Sequence, residues 1–169
     1  MYVKKTIIFS MIVALILLTV GCSSDEANDE NIQTIEAVLK TNFTGPDEEF
    51  KKIMEKENWV EDLRQYEENL YSDYFANDSF YLSYVSRYGS GLWYEPMQNN
   101  YQLKVNNIEF ENTHSEEIIY NFTVDVEYQK EGSELSEVET VTGQANLNNE
   151  YKVENVVIEV NDLIRAISE

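Results

Sequence analysis

The chain has 169 residues, of which 12 are Lys or Arg and 32 are Asp or Glu, giving a formal charge of −20; 43% are hydrophobic and a single Cys is present. That length suits one ordinary domain with an accessory segment, and the apolar share suffices for a core. The lone Cys excludes an intrachain disulfide and a thiolate-rich metal site, and the surplus of carboxylates excludes nucleic acid as a partner, because its phosphates would be repelled.

Residues 1–22 read MYVKKTIIFSMIVALILLTVGC. Lys4 and Lys5 precede an apolar run from Ile7 to Val20 that only Ser10 and Thr19 interrupt. The run is shorter than the ~20 residues of a membrane-spanning helix and has the plan of a secretory signal. Its end, Leu18-Thr19-Val20-Gly21-Cys22, resembles a bacterial lipobox: Gly21 takes the small position and Cys22 that of the Cys that receives a diacylglyceryl group. The pattern departs at Thr19, where such motifs favour Leu. The resemblance implies a signal peptide over 1–21, cleavage before Cys22, and a lipid-anchored protein on the outer face of the bacterial cytoplasmic membrane. Loss of Lys4 and Lys5 takes the formal charge to −22. Residues 22–31, with Ser23 to Asn31 reading SSDEANDEN, suit a polar tether that reaches at most roughly 30 Å when extended.

Residues 32–169 then form one domain, helices first. Ile32, Ile35, Val38, Leu39 and Phe43 recur with helical period, and Thr44-Gly45-Pro46 stops that helix. Pro46 opens the next one, with Asp47, Glu48 and Glu49 near its positive end and Phe50, Ile53 and Met54 as its apolar face. A third helix spans about Asn58 to Phe75, with Trp59, Leu63, Tyr66, Leu70 and Tyr74 on one side. Asn77 and Asp78 offer a cap for a fourth, Ser79 to Tyr88, and Gly89, Gly91 and Pro96 mark the exit from the helical half.

After Tyr101 the period becomes two. Ile118, Tyr120, Phe122, Val124, Val126 and Tyr128 alternate with Ile119, Asn121, Thr123, Asp125, Glu127 and Gln129, as in a strand with one wet face. Val141, Gly143, Ala145 and Leu147 repeat the pattern, and Thr113–Glu116, Lys130–Ser133 and Asn148–Glu150 read as turns. Two strands change phase: Leu103 and Val105 are odd but Ile108 and Phe110 even, and Tyr151 and Val153 are odd but Val156, Ile158 and Val160 even. A bulge near Asn106-Asn107 and another near Glu154-Asn155 restore one apolar face. The expected architecture is α+β, with N-terminal helices packed in a curved, bulged, four-stranded antiparallel meander, like a cone. This order resembles the nuclear-transport-factor-2-like cone. Thr34–Asp47, Tyr101–Phe110 and Tyr120–Gly132 resemble segments of uncharacterised lipoproteins of Gram-positive bacteria. Such a fold hosts enzymes, binders and interaction modules and does not supply an activity.

No catalytic constellation emerges, and no metal or cofactor site is expected. His114, the single histidine, falls in a predicted turn with no nucleophile placed beside it by any motif. Asp125 and Glu127 share the strand face expected to meet water. Neither acid cluster, Asp25 to Glu30 or Glu134 to Glu139, has the spacing of a calcium loop. Residues 71–101 hold ten of the 21 aromatic side chains, with Arg87 among them. Tyr74, Tyr81, Tyr84, Arg87, Tyr88 and Trp93 have the makings of a small-molecule or glycan pocket; the same rings equally suit a core that plugs the cone. The leading expectation is a lipid-anchored binding or interaction module whose target is a small ligand or a basic protein. An acid/base enzyme working inside the cone and a passive acidic envelope protein are the competing readings.

Overall fold

The computed structural model describes residues 23–113 and 115–168; the segment read as a signal peptide, Cys22 and His114 lie outside them. The chain divides into two units, Met1–Glu30 and Asn31–Glu169. In the first, the described backbone is helical, so the segment read as an extended tether rises only about 1.5 Å per residue. That helix, α1, runs Ser23–Asn42 and continues into the second unit. The second unit is α+β: α2 (Glu48–Met54), α3 (Trp59–Tyr71), α4 (Asp78–Val85) and α5 (Tyr94–Asn99) precede strands β1 (Tyr101–Asn112), β2 (Ile118–Lys130), β3 (Ser136–Leu147) and β4 (Val153–Glu159), and α6 (Asn161–Ser168) ends it. The sheet has the order β1-β2-β3-β4 and is antiparallel throughout.

The helical boundaries follow from caps. Asn77 caps α4 by accepting from the amides of Ser79 and Phe80. α2 begins at Glu48, not at Pro46 as expected, with Asp47 as its cap: Asp47 Oδ1 accepts from Phe50 N–H at 2.8 Å. Pro46 stays outside the helix because its carbonyl accepts from Gln102 Nε2 at 2.7 Å, next to a Gly45–Leu103 bridge that ties this turn to β1. The third helix ends at Tyr71 and passes into a 3₁₀ turn over Ser72–Tyr74, short of the expected Phe75, and α4 ends at Val85, short of Tyr88. The segment read as an exit is itself helical, a 3₁₀ turn over Gly89–Trp93 followed by α5. Pro96 fits within the first turn of α5, where a missing N–H costs little, and Asn100 ends it in the left-handed region at φ 57°.

Both expected bulges are present. The β1–β2 register shifts between Val105 and Asn107, leaving Asn106 as the extra residue; the β3–β4 register pairs Asn146 with Asn155 and Leu147 with Val153, leaving Glu154. The inner face therefore collects Leu103, Tyr120, Phe122, Val124, Val126, Val141, Ala145, Leu147, Val153, Val156 and Ile158. Ile35, Val38, Leu39 and Phe43 of α1, Phe50 and Ile53 of α2, and Leu163 and Ile167 of α6 complete the core.

Gly143 faces Phe122 across the β2–β3 pair, and a Cβ there would strike the Phe122 ring and the Val157 carbonyl oxygen. Gly91 has open space at the same test. Gly143→Ala should therefore lose about 1–3 kcal/mol in urea denaturation through overpacking, whereas Gly91→Ala should change stability by less than about 1 kcal/mol.

Candidate functional site

Two surfaces compete for a functional role: the aromatic belt of residues 71–101 and the outer face of the sheet. In the belt, Tyr84 is 1% exposed and Trp93 2%. Tyr84 packs against Tyr71, Phe75 and Tyr88 with ring centroids 5.5, 4.9 and 5.6 Å away. Trp93 stands edge-on to Phe50 at 5.4 Å and Tyr66 at 6.3 Å, and its Nε1–H donates to the Asn42 carbonyl at 2.8 Å. These contacts make Tyr84 and Trp93 core side chains. Tyr81 is buried against Phe75, Tyr74 and Tyr88 are half-buried, and Arg87 is exposed. Arg87 does not point inward: its guanidinium donates to the Ser83 carbonyl, to Ser83 Oγ and, at 3.4 Å, to Asn155 Oδ1, and lies 5.7 Å from the Tyr88 ring centre. Tyr81, Tyr84 and Trp93 are thus packed into the core, Tyr74 and Tyr88 stand at its margin, and Arg87 lies on the surface.

Burial raises the phenol pKa of four tyrosines in this region, Tyr66, Tyr71, Tyr81 and Tyr84. Tyr81 is pushed up to about 12 by desolvation, with Glu67 and Glu68 adding to it. Tyr66 is raised by burial and by the hydrogen bond its hydroxyl donates to Asp47 at 2.7 Å; Tyr71 and Tyr84 are raised chiefly by burial. Sequence reasoning placed Asp47 only among the acids at the start of α2 and did not single out Glu67, yet both tie the helices together. Asp47 caps α2 with one oxygen and takes the Tyr66 hydroxyl with the other, and Glu67 Oε1 accepts from Ser90 N at 3.1 Å and Ser90 Oγ at 2.6 Å. The cap at Phe50 is a local signal, three residues from Asp47, but the Tyr66 and Ser90 donors lie 19 and 23 residues from their acceptors and leave no signature in spacing.

The outer sheet face is lined by the alternate residues of each strand. On β1 and β2 it carries Glu109, Glu111, Asp125 and Glu127 against Lys104. Asp125 and Glu127 face away from the core, as the alternation predicts: Asp125 Oδ1 accepts from Thr140 Oγ1 at 2.9 Å, and Glu127 lies 3.9 Å from Lys104 Nζ. Hydrogen bonds from Ser136 and Asn106 hold the Glu127 carboxyl below its ordinary pKa. Among the described residues Glu109, Glu111 and Asp125 make no ion pair. Between β2, β3 and β4 a shallow groove of about 460 Å³ runs among Asn121, Thr123, Thr142, Gln144, Val157 and Glu159.

The two sheet edges differ. At β4, Ala76 N–H donates to the Val153 carbonyl at 3.0 Å, and Ile158 N–H donates to the Tyr88 hydroxyl at 3.0 Å. At β1, the Gly45–Leu103 bridge covers the beginning of the strand, and no other backbone among the described residues pairs with the outward edge from Lys104 to Glu111.

Among the described residues no three His, Cys, Asp or Glu side chains are grouped to hold a metal ion, and no helix is long and apolar enough to cross a membrane. No protein-family model, curated protein or solved structure matches the chain.

Tyr84→Phe should leave stability within about 1 kcal/mol, since the Tyr84 hydroxyl has no protein partner to lose. Tyr88→Phe should cost about 1 kcal/mol by stripping Ile158 N–H of its acceptor, and Trp93→Phe about 1–3 kcal/mol by orphaning the Asn42 carbonyl and thinning the core. The raised phenols also predict alkaline sensitivity. An unfolded Tyr ionises at about 10, whereas folded Tyr66, Tyr71, Tyr81 and Tyr84 keep their protons, so above that pH the unfolded chain binds fewer protons. Stability should be level up to about pH 10 and fall as pH rises toward the folded values. The urea midpoint at pH 9 and 11, with absorbance at 295 nm as the count of ionised phenols, measures this.

Proposed function

We propose that the chain is a non-enzymatic interaction module, lipid-anchored through Cys22 at the outer face of the bacterial cytoplasmic membrane, that docks a basic protein on the outer face of its sheet. The observation that carries this reading is the charge pattern of that face, where four carboxylates on β1 and β2 accompany one amine and no described element covers them. A basic partner gains from this field in its rate of encounter as well as in contact. The burial of Tyr84 and Trp93 favours the sheet face over an aromatic mouth as the docking surface. The lipobox-like run ending at Cys22 supports the anchor, and the order of helices followed by a bulged meander supports kinship with the nuclear-transport-factor-2-like cone.

Two measurements test the reading separately. Intact mass of protein from its native host should show a chain that begins at Cys22 and carries acyl groups, and Cys22→Ala should leave the detergent phase for the aqueous one; an unmodified full-length mass rejects the anchor. For docking, a photo-crosslinking residue at position 123 in living cells should give a discrete adduct that the Asp125→Lys, Glu127→Lys pair reduces about fivefold or more. Adducts no stronger than those from position 150 reject the face.

A further inference from the structure

The exposed sheet face has a border with its own chemistry. We propose that the open edge of β1 takes one extended basic segment of the partner protein as a fifth strand. This rests on the reading of the outer face as the docking surface for a basic protein and specifies how that protein is held.

The hydrogen-bonding groups follow from the register. Leu103 turns its N–H and C=O away from β2, toward Gly45, at 2.6 and 3.2 Å. Every second residue of an antiparallel strand does the same. With the bulge at Asn106 counted, Ile108 and Phe110, which pair with Val124 and Phe122, turn their amides and carbonyls outward as well. The outward edge from Lys104 to Glu111 spans about 26 Å at strand rise, and backbone groups of this kind are the template for an added strand.

Side chains set the occupant. Ile108 and Phe110 reach the inner face and remain half-buried, so an added strand would lay alternate apolar side chains beside them. Glu109 and Glu111 are exposed on the outer face, with Asp125 one strand further in. The intervening side chains of the added strand would meet these carboxylates, so Lys or Arg belongs there. A second copy of this chain fits poorly. Antiparallel β1–β1 pairing around Ile108 and Phe110 would set Glu109 and Glu111 against their own counterparts, and each copy carries a formal charge of −20. The opposite edge is not equivalent, because Ala76 and Tyr88 already occupy β4.

The test uses the full chain and a twelve-residue peptide in which lysine alternates with valine or threonine. Amide hydrogen exchange, read residue by residue, should slow at least tenfold at Ile108 and Phe110 at saturating peptide. Methylating every second peptide nitrogen, on the edge that faces β1, should weaken binding at least tenfold, as should the Glu109→Lys, Glu111→Lys pair. If the methylated peptide binds as well as the parent, and protection appears at Thr123 and Thr142 instead, the edge is rejected while face docking stands. If the peptide binds nowhere while position 123 still crosslinks in cells, the edge is again rejected and the face retained; loss of both rejects both. Protection of Ile108 and Phe110 without peptide also overturns the proposal. Growth of that protection with protein concentration would identify a second copy as the occupant, and constancy a segment of the chain itself.

Discussion

The constraint on which the structure depends is the facing of its strands. A strand that alternates with period two cannot change phase without moving half of its apolar side chains into water. Asn106 in β1 and Glu154 in β4 each absorb one residue, and Leu103, Ile108, Val153, Val156 and Ile158 consequently reach the same side. Both bulges lie on the outer strands of the sheet, while β2 and β3 pair without interruption from Ile118 with Leu147 to Gln129 with Ser136. The regular centre supplies the flat part of the inner face, and the interrupted borders let it bend around the helices.

A small set of polar contacts then fixes the helices on that surface. Trp93 donates to the carbonyl of Asn42, so the 3₁₀ turn holds the end of α1; Asp47 joins the start of α2 to Tyr66 of α3; Gln102 and Leu103 of β1 hold the Gly45-Pro46 turn. Each of these groups is a donor or acceptor that would be costly to leave unpaired in a buried setting. The charges outside this framework are distributed differently. The ion pairs of Glu36–Lys40, Arg64–Glu61 and Arg165–Asp162 are short-range and solvent-facing and contribute little to stability. None of them engages the four carboxylates of the β1–β2 face, where, among the described residues, only Glu127 has a cation nearby, Lys104.

The strand half was more legible in the sequence than the helical half, for a physical reason. Ile118 to Gln129 alternate for twelve residues, and an interruption of that alternation at Asn106 or Glu154 has one simple remedy, so both bulges could be located from residue order alone. A helix of six to eight residues carries too few turns for a period to show by itself; α2 and α4 were legible through the polar residues at their starts, Asp47 and Asn77, a signal that α5 lacks. Tyr94–Asn99 was hidden behind Gly91 and Pro96, and Asn161–Ser168 offers only Leu163, Ile164 and Ile167 as its stripe. Pro46 was misplaced because its carbonyl is claimed by Gln102, a partner 56 residues away. The aromatic belt was legible as a cluster but not as core or pocket, since residue type alone does not tell whether a ring faces other rings or solvent. The asymmetry between the two sheet edges was not legible at all, because it depends on where Ala76 and Tyr88 arrive in space.

That asymmetry limits how the protein can assemble through its sheet. A border engaged by Ala76 and Tyr88 at Val153 and Ile158 on one side and open from Lys104 to Glu111 on the other favours addition at a single margin of this molecule. Two molecules joined margin to margin would close on themselves as a pair. Endless cross-strand polymerisation needs two open margins on every molecule, and one of them is obstructed at Val153 and Ile158.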